Sequence, residues 1–266
     1  TWQRGGAVTG TADWREDGGD PLPVIIKLPV GSTELEWTRR LGEHGSDRDV
    51  AEGETPHPTP RVLHAGEALG QYDLGWLVIE RLEGAPVASD LSEVSLTGLI
   101  DAAAEFQLRA KRAEEHHGER LHGRVDERDW SAVLEASLDA IRDNALPETH
   151  RWSESIKELH KRLHDVLAVW DARPMDDWCH GDLHPGNALH MAGEPGHPDR
   201  CVLIDLALVH RGHWVEDAVY LERIFWGHES RLLGVQPVKA MRAERRRRGL
   251  TVSPDDGHLA NAKRVL

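Results

Sequence analysis

The prevailing rhythm of the apolar residues in this 266-residue chain changes after Glu80, and that change limits the fold to a few classes. Up to Glu80 they come in short β-branched runs bounded by turn residues. Ala7 to Arg15 and Pro23 to Leu28 read as two strands, and Asp17-Gly18-Gly19-Asp20-Pro21 between them reads as a hairpin turn. Arg61 to His64 and Gly75 to Glu80 read as two more. One helix interrupts them, capped by Ser32 or Thr33 and running to about Leu41, with Gly42 and Gly45 at its end. Glu36 lies three residues after Thr33, which is capping-box spacing. Residues 46–60 are polar and proline-rich and read as a loop.

From Leu96 onward the apolar residues return every three or four positions. Leu96, Leu99, Ile100, Ala103 and Phe106 form one stripe, and Trp130, Val133, Leu134, Leu138 and Ile141 a second. Ile156, Leu159, Leu163, Val166, Leu167 and Trp170 form a third. Each puts one apolar face on a helix, which has to be buried against a neighbour, so these residues are core. Asn187 to Met191 and Cys201 to Ile204 read as a hairpin around a Gly193-to-Pro198 turn, before helical pattern resumes from Val215 to Trp226. Segregation of strands from helices predicts an α+β fold rather than a βαβ sheet. Gly84-Ala85-Pro86 breaks the pattern and divides a strand-rich unit, 1–83, from a mainly helical one, 84–266.

Composition narrows the function. A 39% hydrophobic, 29% charged chain is globular, and no apolar run reaches the eighteen or so residues of a membrane helix. Net charge is −14, with 32 basic against 46 acidic residues, which argues against nucleic acid and suits a cationic small molecule. Thr1-Trp2-Gln3-Arg4 is not the start of a secretion signal, and without a Met it is read as lying inside a longer chain. Cys179 and Cys201 cannot make a disulfide framework and are expected as free thiols in a reducing cytoplasm. Neither HExxH nor CxxC occurs. The basic run Arg245 to Arg248 reads as a solvated helix end. Residues 227–266 carry no assignable motif.

The densest chemical signal is His180-Gly181-Asp182-Leu183-His184-Pro185-Gly186-Asn187. Phosphoryl transfer needs a carboxylate beside the acceptor hydroxyl and oxygen ligands for Mg²⁺ on the nucleotide phosphates. Asp182 and Asn187, five positions apart on a loop broken by Pro185 and Gly186, can face one cleft. A second carboxylate, Asp205, ends the apolar strand Cys201–Ile204, a rigid place for a metal ligand.

HGDLHPGN, followed 18 residues after its Asn by Ile204-Asp205-Leu206, resembles the catalytic and metal motifs of the aminoglycoside phosphotransferase and choline kinase families. Val24-Ile25-Ile26-Lys27 is similar to the family's lysine strand, and the Glu34–Leu41 segment to the helix after it. Thr59–His64 and Leu77–Gly84 resemble the strand before the hinge and the hinge. The resemblance implies a bilobal protein-kinase-like fold, with ATP and Mg²⁺ as cofactors and a small-molecule hydroxyl acceptor. It implies that Asp182 is the catalytic base or the residue that orients the hydroxyl, and that Asn187 and Asp205 hold Mg²⁺. Lys27 would contact the phosphates, with Glu36 as its partner and Glu34, on the same turn, as the substitute. Glu80, Arg81 and Leu82 would meet adenine through backbone groups, and Asp217 would cap a helix or brace the loop.

The chain departs from the family in three places. Its early glycines, Gly5, Gly6 and Gly10, do not make a convincing phosphate loop, which would then lie upstream of Thr1. Ala207 stands where protein kinases carry Gly, and the tail is unassigned. Two rival readings are a silent nucleotide-binding pseudokinase and a metallohydrolase built on His180, Asp182 and His184.

Overall fold

The computed structural model describes residues 7–15, 19–42, 57–117, 128–144, 146–193 and 199–266. β1 (Val8–Trp14) and β2 (Leu22–Val30) pair antiparallel, in register from Val8 opposite Leu28 to Trp14 opposite Leu22. The centre of their turn, Asp17-Gly18, lies outside the described residues. After α1 (Ser32–Gly42) come β3 (Val62–Gly66) and β4 (Gly75–Glu80), and the four strands order as β1-β2-β4-β3. β2 is therefore interior, which suits its nearly unbroken apolar run, and Lys27 is placed opposite Leu77 of β4.

Helix α1 has two jobs. Leu35 packs with Val30, Val62 and Leu77 under the sheet. Trp37 and Leu41 instead enter the large core of the helical part, where the Trp37 ring lies 4.5 Å from Trp178 and 6.5 Å from Phe106. A buried aromatic removes about 150–250 Å² from water. Trp37 thus ties the sheet lobe to the helical lobe through one side chain.

Beyond β4 the chain changes sheets. β5 (Ala85–Pro86) pairs with β7 (Ala188–Met191), and β7 pairs with β8 (Arg200–Leu203). Between β5 and β7 lie α2 (Glu93–His117), α3 (Trp130–Asp143), α4 (Thr149–Asp171) and β6 (Asp177–Cys179). The rest is β9 (His210–Gly212), α5 (Val215–Arg223), α6 (Pro237–Arg247) and α7 (Asp256–Val265). β6 and β9 form a two-stranded sheet that the sequence pattern does not reveal, each strand being three residues long. The α2 stripe is fully buried and joins Cys201 and Leu203 of β8 in the main core. The α4 stripe, with Trp130 and Leu134 of α3, closes a separate cluster in which Leu134, Leu163 and Trp170 meet Ala262 and Leu266, whereas Val133 of the α3 stripe, expected in the core, is 38% exposed.

The basic run at the end of α6 is not solvated throughout. Arg246 and Arg247 are exposed, but Arg245 is 1% exposed. Its guanidinium donates to Asp177 (2.8 and 3.0 Å), to Gln107 (2.6 Å) and to the Thr251 carbonyl, and it sits over the Trp214 ring. Arg248 pairs with Asp101, Glu105 and Glu244. Asp177 opens β6, so the tail grips the strand that delivers the HGD loop. A planar five-donor fork is what such a site needs, and composition alone cannot tell it from a solvated arginine.

Removing one partner of a buried ion pair leaves the other charge uncompensated. Arg245→Ala is expected to lower the unfolding free energy by about 3–5 kcal/mol, read as a fall in the urea midpoint. Arg246→Ala, at an exposed position, is expected to stay within about 0.5 kcal/mol of the parent.

Candidate active site

The site is built around a loop held from behind. Asp217, 1% exposed in the first turn of α5, accepts the His180 amide (2.8 Å) and the Gly181 amide (2.9 Å). Asp217 is thus a brace for the loop rather than a cap. Burial pushes its carboxyl above the ordinary range, and His180 and the two amides oppose that shift. Gly181 has φ +82°, and a Cβ there would stand 2.1 Å from the Leu208 carbonyl oxygen. Only glycine fits, which is the physical reason for the middle residue of the motif. His180 is fully buried. Its Nδ1 accepts the Asp182 amide (3.3 Å), so its Nε2 carries the proton and donates to the Ile204 carbonyl (3.1 Å). One imidazole thereby links the loop to the end of β8, and both Asp182 and Asp205 lie close enough to act on it electrostatically.

Asp182 and Asn187 come together. The Asn187 side-chain amide donates to the Asp182 carboxylate (2.9 Å) and to its carbonyl (3.1 Å). With the nitrogen so engaged, the amide oxygen is the group left to face a ligand. The Asn187 carbonyl accepts the Ile204 amide (2.9 Å), which sets Asn187 beside the residue before Asp205. Asp205 is 45% exposed and has φ 65°, ψ 69°, a left-handed backbone that costs an L-residue roughly 1–3 kcal/mol. Such an outlier is stored where a side chain must be aimed. An amide oxygen and a half-exposed carboxylate form the hard oxygen donor set that suits Mg²⁺.

Lys27 reaches the same place from the sheet. Its ammonium pairs with Glu34 and lies 3.4 Å from Asp205. Glu36, the partner that the resemblance implies, does not reach Lys27: it pairs with Arg40 one turn on and is 38% exposed. The helix phase explains the difference. Glu34 shares its face with the buried Trp37, Thr38 and Leu41, at i+3, i+4 and i+7, whereas Glu36 points about 200° away. The signal was therefore in the pattern, and the capping-box spacing masked it. Burial raises the Glu34 carboxyl above its ordinary range, and Lys27 counteracts this in part.

At the edge of the sheet the Glu80 amide donates to the Arg61 carbonyl (3.0 Å) and the Arg81 amide to the Pro23 carbonyl (2.9 Å). The Glu80 carboxylate accepts the Arg61 amide (2.7 Å). Those two backbone donors are spent in the sheet, and Leu82 lies beyond its end. Gly10 is a strand residue opposite Ile26, and Gly5 and Gly6 lie outside the described residues. Tyr220 was not picked out by spacing, yet its hydroxyl donates to Asp182 at 2.6 Å.

The histidine-cluster reading fails on partners. Both ring nitrogens of His180 are used, and His184 Nδ1 accepts the Gly186 amide (2.9 Å). Among the described residues, the ligand-like group is Cys179, His210 and Glu216. Cys179 donates to the His213 carbonyl, and burial drives its thiol pKa far up, whereas a metal ligand must be a thiolate. Glu216 accepts from Arg173 (3.2 Å) and the His213 amide (3.0 Å). The group is a hydrogen-bonded brace. A cavity of about 890 Å³ opens among Glu222, Trp226, Arg242 and Asp256, and Asp182, Asn187 and Asp205 are not part of its lining. Among the described residues no helix is long and apolar enough to cross a membrane.

The fold is bilobal and protein-kinase-like. The phosphotransferase enzyme family matches residues 17–250, and the chain belongs to that family. Among solved structures, the GDP complex of an aminoglycoside 2'-phosphotransferase-IIIa F108L mutant is similar at TM-score 0.52 and 14% identity, over 96% of this chain and 81% of that one. An aminoglycoside-3'-phosphotransferase of type VIII is similar at TM-score 0.43 and 21% identity, over 96% and 87%. Ethanolamine kinase from Plasmodium vivax is similar at TM-score 0.47 and 11% identity, over 97% and 72%. No curated protein matches significantly by sequence.

The brace beside the loop sets a pH window. Burial alone would raise the Glu216 carboxyl. The bonds from His210 and the His213 amide, together with Arg173, outweigh burial and bring it to about 2. Burial opposes charge on His210 too, and Glu216 nonetheless raises its pKa. A lowered acid stabilises above its unfolded value, about 4.5, and loses that contribution as pH falls toward 2. A raised histidine stabilises below about 6.5 and loses that contribution as pH climbs past its folded value. The stability lost in Glu216→Gln, measured by urea unfolding at a series of pH values, is expected to be largest between about pH 4.5 and 6.5 and to shrink on both sides.

Proposed function

We propose that the protein is an ATP- and Mg²⁺-dependent phosphotransferase that moves the γ-phosphate to a hydroxyl of a small polar molecule. The observation that carries this is the gathering of Asp182, Asn187 and Asp205 around the buried His180, with the Lys27 ammonium arriving from the other lobe. The nucleotide lies between units 1–83 and 84–266, with the Glu80–Leu82 segment against its base. The net charge of −14 favours a cationic acceptor over an anionic one.

In this reading the Asp182 carboxylate orients the acceptor O–H and takes its proton as the new O–P bond forms and the bond from Pγ to the bridging oxygen breaks, with ADP as the leaving group. Asn187 and Asp205 would hold Mg²⁺, whose charge would offset that of the transferring phosphate. Lys27, fixed between Glu34 and Asp205, stands ready to contact the phosphates without a change of rotamer partner. These charges are set in place before reaction, so little reorganisation is needed when charge shifts. Retention of every polar group in this set supports an active enzyme over a silent nucleotide-binding protein.

Assays with MgATP and a panel of amino-alcohols, sugars and aminoglycosides test the reading. Asp182→Ala is expected to lower turnover by roughly 10²–10⁴-fold with the fold intact, and near-normal turnover removes Asp182 from this role. Loss of a charged hydrogen bond is worth about 1.5–3 kcal/mol, so Glu34→Gln is expected to lower kcat/KM roughly 10- to 100-fold. Glu36→Gln is expected to leave it within about twofold, since Glu36 is 38% exposed and pairs with Arg40 rather than Lys27.

A further inference from the structure

We propose that Tyr220 is a positioning residue for Asp182: its phenol, carried on α5, fixes the plane of the carboxylate that receives the acceptor's proton. The inference rests on the reading of Asp182 as that base. The two oxygens of Asp182 are held by different elements. Oδ1 accepts the Tyr220 hydroxyl at 2.6 Å, and Oδ2 accepts the Asn187 amide at 2.9 Å. A carboxylate held at one oxygen turns about its soft terminal torsion, whereas one held at both does not. An O–H to carboxylate distance of 2.5–2.7 Å marks a charge-assisted bond, roughly twice as strong as a neutral one. Each carboxylate oxygen offers about two acceptor sites, so one grip on each leaves room for an acceptor hydroxyl.

Placement in the fold adds to this. Tyr220 lies three residues after Asp217 on α5, so both project from the same face of one helix. Asp217 holds the backbone on the N-terminal side of Asp182 through the His180 and Gly181 amides. Tyr220 holds the side chain of the same residue. Main chain and carboxylate are thereby referred to a single rigid element, and neither grip comes from a residue assigned to the metal. The bond to Asp182, then burial, push the phenol up to about 12, so it stays a proton donor. A phenylalanine would fill the same space and lack only the hydroxyl.

The test is a double-mutant cycle in the full-length chain, with an acceptor found by the panel above. Tyr220→Phe is expected to lower kcat about 10-fold or more, with the KM for MgATP and the thermal midpoint unchanged. In an Asp182→Asn background, Tyr220→Phe is expected to change the residual single-turnover rate less than about twofold, because its effect runs through the carboxylate. Equal losses in both backgrounds, or full turnover in Tyr220→Phe alone, would overturn the inference while leaving the phosphotransferase reading standing. An unmodified protein that transfers phosphate to no acceptor would overturn the reading and this inference with it.

Discussion

The buried carboxylate of Asp217 is the interaction on which the site depends. A fully buried carboxylate is costly unless its oxygens are hydrogen-bonded, and here two adjacent amides of the HGD loop satisfy them. The same bonds force the loop into a shape that needs a positive φ at Gly181, and that shape turns Asp182 outward. His180 locks the result by bridging to Ile204. The chemistry-bearing residues are thus placed by a network that is itself inaccessible, which separates folding from function in adjacent positions of one motif.

A second constraint joins the lobes. Helix α1 is buried on two sides, with Leu35 under the sheet and Trp37 in the helical core. Between those contacts, on the same turn, Glu34 holds Lys27, and Lys27 reaches Asp205. A shift of α1 would therefore move the lysine relative to Asp205. The packing of one tryptophan and the geometry of one ion pair are coupled through a few residues of helix.

Much of this was legible in the sequence. The three helical stripes, the interior β2 strand and the HGDLHPGN segment depend on local spacing, and they occupy the expected elements. What escaped depends on contacts that strand and helix spacing alone do not single out. The lysine's carboxylate is Glu34, and only the buried face shared with Trp37 and Leu41 distinguishes it from Glu36. Arg245 looks like any residue of an arginine run until Asp177, Gln107 and Thr251 close around it. β6 and β9 are too short to carry a periodicity, and the hydroxyl of Tyr220 acquires meaning only when α5 packs against the loop. Gly84-Ala85-Pro86 is followed in the structure by β5, which pairs with β7 rather than with the first sheet.

The central claim is that three oxygen-bearing side chains, Asp182, Asn187 and Asp205, serve one nucleotide. A crystal structure with Mg²⁺ and a non-hydrolysable ATP analogue tests it most directly. The expected result is a magnesium ion about 2.0–2.1 Å from Asn187 Oδ1 and from an Asp205 carboxylate oxygen, with the Asp182 carboxylate facing the terminal phosphate. A nucleotide or metal bound away from these residues, or Asp182 turned from the phosphate, would contradict it.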